Sequence, residues 1–414
     1  LDKRSDGAFS KETLVMSGVS GGAVGIANYA SIVNENSDLD ARAAAIFNIG
    51  TSNVLSNELV YLLGKDWLRE YIPLTYQGRD RSYKSMQDHA RYTGMGDRYQ
   101  TKTFSDYWWE LQQKQAGKFP ILIMNTTSTI GRQGVVSTVN FEPNTFPAAD
   151  NLSDFNNSCG DCGLTYFGAV STTNRFPLFS PSAEIRGKGT YVDGGYFENS
   201  GMLSTLEIYQ TLKDESGAYH SKIQPVFVNI INSLDFYVAH KVLKDWKFKK
   251  VTQDKSGELS AILNTVVSID KLPRYVFDKI EKEGFVLEPI MMPHRITYDR
   301  VKSVLRGDVD DPVRLMKLIK QHNDTIRWVL RDYENYKLRQ WGVVEPPLAR
   351  VLSEPAVRYQ EAMVYYHPEV QRAFARIDAY LNTPEIIDNS FKQRIQRTIK
   401  ADTLINPYQK FNKQ

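Results

Sequence analysis

The chain has 414 residues, 42% of them hydrophobic and 24% charged, a balance that supports a sizeable folded core and excludes global disorder. Lys and Arg number 51 against 48 Asp and Glu, so the net charge of +3 gives no reason to expect a nucleic-acid or other polyphosphate partner. Two cysteines exclude a disulfide framework, and no apolar run approaches the roughly 18 residues that span a bilayer. No charged-then-apolar leader opens the chain, and it starts on Leu1 rather than Met, so it reads as a piece of a longer sequence. A location in the cytoplasm or at the periphery of a membrane is the expectation.

In chain order, Thr13-Leu14-Val15-Met16 reads as a short strand, and a helix of small residues follows from about Ala23 to Val33. Residues 120–125 form a second strand signal, residues 141–163 a polar surface loop, Thr190-Tyr191-Val192 a third strand, and residues 225–231 a fourth. Apolar runs without alternation suit strands covered on both faces, and the long stretches between them leave room for crossover helices. The pattern predicts an α/β layered fold with a mainly parallel sheet over residues 1–235. Strand signals fade after Leu234. Asp311-Pro312 marks a helix start, and Val313, Met316, Ile319, Ile326, Leu330 and Tyr333 recur at helical spacing. A further helix is expected near Glu369 to Leu381, which makes residues 236–414 a mostly helical extension.

The sharpest local signal is Gly18-Val19-Ser20-Gly21-Gly22, a G-x-S-x-G between a predicted strand and a predicted helix. A tight strand-to-helix turn strains the serine backbone, and glycines are expected to tolerate the crowding around it. The turn would hold the Ser20 hydroxyl at a helix N-terminus, where backbone amides favour developing negative charge.

A serine needs a base. His220, His240, His294, His322 and His367 all lie downstream of the next candidate acid, so chain order permits a Ser-Asp-His triad, but none of them sits in a Gly-flanked turn. Asp193 is the better partner. It ends a predicted strand in Tyr191-Val192-Asp193-Gly194-Gly195, where Gly194 and Gly195 allow close approach. Partial desolvation makes a carboxylate a stronger base, so a Ser–Asp dyad is workable without histidine.

Gly18-Val19-Ser20-Gly21-Gly22 with Asp193-Gly194-Gly195 far downstream resembles the patatin-like phospholipases, lipid acyl hydrolases with a Ser–Asp dyad. The stretch from Pro120 to Thr127 with Gly131 is similar to the family's central strand and turn. Ala169-Val170-Ser171-Thr172-Thr173-Asn174-Arg175-Phe176-Pro177 is similar to the small-residue stretch before the D-G-G strand. Tyr196-Phe197-Glu198-Asn199-Ser200-Gly201 resembles a bacterial branch, as residues 347–353 do faintly. The resemblance covers roughly residues 10–235. It implies a patatin-like fold, phospholipid or other acyl-ester lipid substrates, Ser20 as nucleophile, Asp193 as its base, and neither metal nor cofactor. One departure stands out: the family carries a Gly-rich oxyanion loop upstream of G-x-S-x-G, whereas Leu1 to Ser10 contain only Gly7. The amide of Gly21 remains as an oxyanion donor. Loss of one donor costs about a hundredfold or more in rate, so weakened activity is expected.

Other signals carry less. Cys159-Gly160-Asp161-Cys162 is a lone C-x-x-C with no second ligand pair for zinc. Lys241, Lys244, Lys247, Lys249 and Lys250, interleaved with Trp246 and Phe248, read as a solvated helix face or as a patch for anionic headgroups. No phosphate-cradling loop or dinucleotide fingerprint is present. Two rivals to the dyad stay open: a His-dependent α/β-hydrolase esterase, and a non-catalytic membrane-associated scaffold on the same fold.

Overall fold

The computed structural model describes residues 1–52, 81–142, 144–153, 164–175, 180–185, 187–216, 225–243, 276, 279–280, 282–283, 285–305, 309, 311–333 and 353–382. It divides into two compact units. The first comprises Leu1–Gly217 with Lys271–Val276 and Leu348–Leu352; the second comprises Ala218–Asp270, Phe277–Pro347 and Ser353–Gln414. Where the sequence reading placed a boundary after residue 235, the units divide after residue 217.

In the first unit the described strands and α-helices are α1 (Ala8–Glu12), β1 (Val15–Val19), α2 (Gly21–Glu35), α3 (Leu39–Thr51), α4 (Arg81–Thr93), α5 (Phe104–Lys114), β2 (Ile121–Ser128), β3 (Gln133–Ser137), β4 (Ala149–Asn151), α6 (Tyr166–Thr173), β5 (Ala183–Ile185), β6 (Gly189–Val192) and α7 (Met202–Ser216). This is an α/β fold. The sheet runs β4-β3-β2-β6-β5, with β1 also on β2. It is mixed, where a mainly parallel one was expected: β1–β2 and β3–β4 are parallel, while β2–β3, β2–β6 and β5–β6 are antiparallel. The reason is local. An apolar run reports that both faces are covered and is silent on direction; β2 and β3 are joined by a short turn at Gly131 (φ 85°), which forces them antiparallel.

Helix α2 earns its place by size. Ala23, Ala27 and Ala30 are fully buried, so its axis packs close to the sheet. Around it Tyr107, Tyr166, Phe104, Phe167, Leu111 and Leu122 complete the main core. At about 25 cal/mol per Å² of apolar surface, such fully buried aromatic and leucine side chains contribute roughly 1.5–3 kcal/mol each.

Strand β2 sets the geometry that matters for chemistry. Its residues 123–127 pair with β3 along one edge. The other edge is therefore shared: β1 occupies it up to Val19↔Asn125, and β6 occupies it from Val192↔Thr127. β1 runs parallel to β2 and β6 antiparallel, so the two strands approach head-on and both stop beside Thr126. The next residues are Ser20 and Asp193.

The second unit holds β7 (Val226–Ile231), α8 (Leu234–Tyr237), β8 (Val286–Met291), α9 (Tyr298–Leu305), α10 (Pro312–Asp332), α11 (Glu354–Tyr366) and α12 (Pro368–Leu381). Strands β7 and β8 pair in parallel, Val226↔Val286 through Ile231↔Met291. β8 lies where strand signals had faded: Pro289 and Glu288 interrupt its apolar run, and Glu288 is nonetheless buried. β7 alternates instead of being covered on both faces, with Ile230 75% exposed. In α10 the Asp311 side chain caps the helix by accepting from the Arg314 amide at 2.9 Å, with Pro312 in the first turn. Its buried stripe is Leu315, Ile319, Ile326, Val329 and Leu330. Val313 and Met316, expected on that stripe, face outward. No helix among the described residues is long and apolar enough to cross a membrane.

Candidate active site

Ser20 occupies the joint between β1 and α2 with φ 49° and ψ −124°, a conformation L residues rarely adopt. Holding it costs about 1–3 kcal/mol, which the surrounding contacts offset. Ser20 stands at the N-cap of α2, yet its side chain makes no capping bond. The hydroxyl points elsewhere: Ser20 Oγ donates to Asp193 Oδ2 at 2.6 Å.

Asp193 is buried, 1% exposed, at the end of β6. Its other oxygen, Oδ1, accepts from the Gly195 amide at 2.9 Å, and its own amide donates to the Arg175 carbonyl at 2.9 Å. The carboxylate is thus fixed by backbone on one side and meets the serine on the other. Burial, with the Asp193 charge as a second cause, pushes the nearby Tyr196 hydroxyl above its ordinary pKa.

The motif glycines serve different ends. A Cβ on Gly18 would lie 2.6 Å from Ala23 Cα, so this glycine lets α2 fold back on β1. A Cβ on Gly194 would run into the carbonyl oxygen of Asn125. Gly21 and Gly22, expected to be crowded, are not: a Cβ there would meet nothing within 4 Å. Both are exposed, and the amides of this first helical turn have no intrahelical acceptor.

Two residues that the chemistry-led reading did not single out complete the arrangement. Thr173, at the end of α6, accepts the Ser20 amide at 3.0 Å on its Oγ1 and donates its proton to the carbonyl of Asn125. Asn125, on β2, uses its side-chain nitrogen to hold Ser17 Oγ at 2.8 Å and the Gly18 carbonyl at 3.1 Å. Its side-chain oxygen accepts from Gln133 Nε2 at 3.1 Å and from Ser204 Oγ. The available signal was the run Asn125-Thr126-Thr127-Ser128, four polar residues finishing an apolar strand, all of them buried. Thr127 Oγ1 donates to the Gly194 carbonyl at 3.2 Å and accepts the Phe197 amide at 3.1 Å, which ties the D-G-G turn to the same strand.

Glu198, just beyond, is also buried, and burial pushes its carboxyl pKa up, while the Ser200 amide and hydroxyl, both donating to it, pull the value back. Among the described residues no histidine hydrogen-bonds Ser20. His89 is 3.0 Å from Asn28 through Nδ1, and His294, His322 and His367 belong to the second unit. His220 and the side chain of His240 lie outside the described residues, as do Cys159, Cys162, Lys244, Trp246, Lys247, Phe248, Lys249 and Lys250; Lys241 is half-buried. No group of three or more His, Cys, Asp or Glu among the described residues is placed to hold a metal ion. A cavity of about 280 Å³ opens on α6 between Phe167, Ser171, Arg175 and Ile185, and neither Ser20 nor Asp193 lines it.

The arrangement can move a proton from a strained, fixed serine to a buried carboxylate, beside the amides of a first helical turn that have no intrahelical acceptor. Comparisons of the chain with protein-family models, curated proteins and solved structures give no match.

Proposed function

We propose that the chain is a serine acyl-ester hydrolase of patatin-like type, acting on phospholipids or related acyl-ester lipids at the periphery of a membrane. The observation that carries the reading is the 2.6 Å hydrogen bond from Ser20, in its strained positive-φ backbone conformation, to the buried Asp193. The lipid substrate and the family assignment rest on the sequence resemblance.

In this reading Ser20 Oγ attacks the ester carbonyl carbon as its proton passes to Asp193 Oδ2. The carbonyl oxygen, now an oxyanion, takes the Gly21 amide at the start of α2. Collapse breaks the ester C–O bond, and the alcohol leaves with the proton from Asp193, giving an acyl-serine. Water then gives a proton to Asp193 as it attacks, and release of the fatty acid returns that proton to Ser20. The base starts and ends as a carboxylate.

The test is covalent labelling with a fluorophosphonate, located by peptide mass spectrometry, in the wild type, Ser20→Ala and Asp193→Asn. Label on Ser20 that both substitutions abolish supports the dyad. Label that survives Asp193→Asn points to a histidine base, and a wild type that binds lipid vesicles without labelling points to a non-catalytic scaffold.

A further inference from the structure

We infer that Thr173 is a positioning residue for the nucleophile, a role that rests on the hydrolase reading above. The argument begins with hydrogen-bond polarity. A threonine hydroxyl has one proton and two lone pairs. The proton of Thr173 Oγ1 is committed to the Asn125 carbonyl, which can only accept. A lone pair is therefore the only group Thr173 can offer to Ser20, and it takes the Ser20 amide at 3.0 Å.

Two consequences follow. First, the peptide at the strained joint is anchored to α6 and, through Asn125, to β2, at the one residue whose φ of 49° would otherwise relax. Second, the Ser20 amide is withdrawn from the approaching oxyanion, which leaves the Gly21 amide to receive it. Asn125 sits at the junction of both halves of the dyad. Its carbonyl holds Thr173, and so Ser20, while Gly194, next to Asp193, packs so close to that carbonyl that any side chain would strike it. One carbonyl oxygen thereby registers nucleophile and base against each other.

The test uses Thr173→Val, which keeps the shape and loses the hydroxyl, and Thr173→Ser, which keeps the hydroxyl. Thr173→Ala replaces the valine variant should that one not fold. Two readouts are taken: the second-order rate of fluorophosphonate labelling, and hydrogen exchange of the Ser20 amide by NMR. Thr173→Val is expected to label at least about tenfold more slowly and to expose the Ser20 amide to exchange, with β2 amides still protected. Thr173→Ser is expected to return both to within about threefold of wild type. Unchanged labelling in Thr173→Val overturns the positioning role. A slowed rate that serine does not rescue also overturns it, because the effect would then come from packing. Should the wild type not label at all, the hydrolase reading fails on its own, and the exchange arm still decides the anchor: protection lost in Thr173→Val supports it, and protection retained overturns it.

Discussion

Ser20 Oγ and Asp193 Oδ2 lie 2.6 Å apart although 173 positions separate them in the chain. They meet because β1 and β6 end head-on along a single edge of β2, after Val19↔Asn125 and Val192↔Thr127. The hydroxyl of Thr126 sits at that junction, 2.7 Å from the Val192 carbonyl and 2.9 Å from the Thr172 carbonyl, and links the end of β6 to α6.

Gly194→Ala is expected to cripple the site. Its methyl group would collide with the Asn125 carbonyl, which belongs to a strand paired on both edges and cannot retreat. Displacing the Asp193 carboxylate by about 1 Å costs on the order of a hundredfold in rate, and the overpacking costs about 1–3 kcal/mol of stability. Labelling rate and urea denaturation measured on the same variant give both values.

Ser20→Gly and Ser20→Ala both remove the hydroxyl and leave Asp193 without that donor, so their difference isolates the backbone. Glycine adopts φ 49° without strain, and alanine does not. The glycine variant is expected to be the more stable by about 1 kcal/mol. Equal unfolding midpoints would show that the joint holds no strain.

The second unit is expected to weaken in mild acid. Burial first, then the charge of neighbouring His322, lowers the pKa of His294 to about 4. Burial first, then the charges of His322, Arg372 and Lys241, lowers that of His367 to about 3. The unfolded chain takes up these protons near the ordinary histidine value of about 6.5. Between 6.5 and these lower values the unfolded state binds more protons. Stability is therefore complete above about pH 6.5 and falls as pH drops through 5 and 4, with a slope approaching about 1.4 kcal/mol per pH unit for each histidine. His367→Asn keeps a side-chain acceptor for the Glu369 amide at the start of α12 and removes the titration. It should flatten the melting temperature between pH 7 and pH 4 relative to wild type.

Arg376 and Glu288 form a two-pronged ion pair, Nε to Oε2 at 2.6 Å and Nη2 to Oε1, and Glu288 is buried. The bonds to Glu288 raise the Arg376 pKa further, although burial opposes this. Arg376→Met would strand the carboxylate inside the unit and cost about 3–5 kcal/mol. Adding Glu288→Gln should recover much of that loss, a coupling that a double-mutant cycle measures directly.

The pairing of Ser20 with Asp193 was legible in the sequence because each stands beside a conspicuous glycine: Gly18 for close packing of α2, and Gly194 for approach to β2. The helices of the second unit were legible through capping and spacing, as at Asp311-Pro312. Strand direction was not, since Ile121–Met124 would read the same in either orientation. Strand β8 hid behind a buried glutamate whose partner, Arg376, lies 88 positions away. Thr173 and Asn125 fall within stretches that stand out in the sequence, but their roles are not legible there for a similar reason. Uncharged polar residues acquire meaning only when the fold shows which single acceptor or donor each one faces.

The head-on meeting at Thr126 also determines which length changes the dyad survives. Neither β1 nor β6 passes the other, so the separation of Ser20 and Asp193 is counted along β2 in strand residues of about 3.3 Å each. Extra residues in the turn after β2 would alter loop length and leave that count intact. A deletion of one residue inside β6 would draw Asp193 back by a full step, beyond hydrogen-bond reach of Ser20, while the sheet itself could still form.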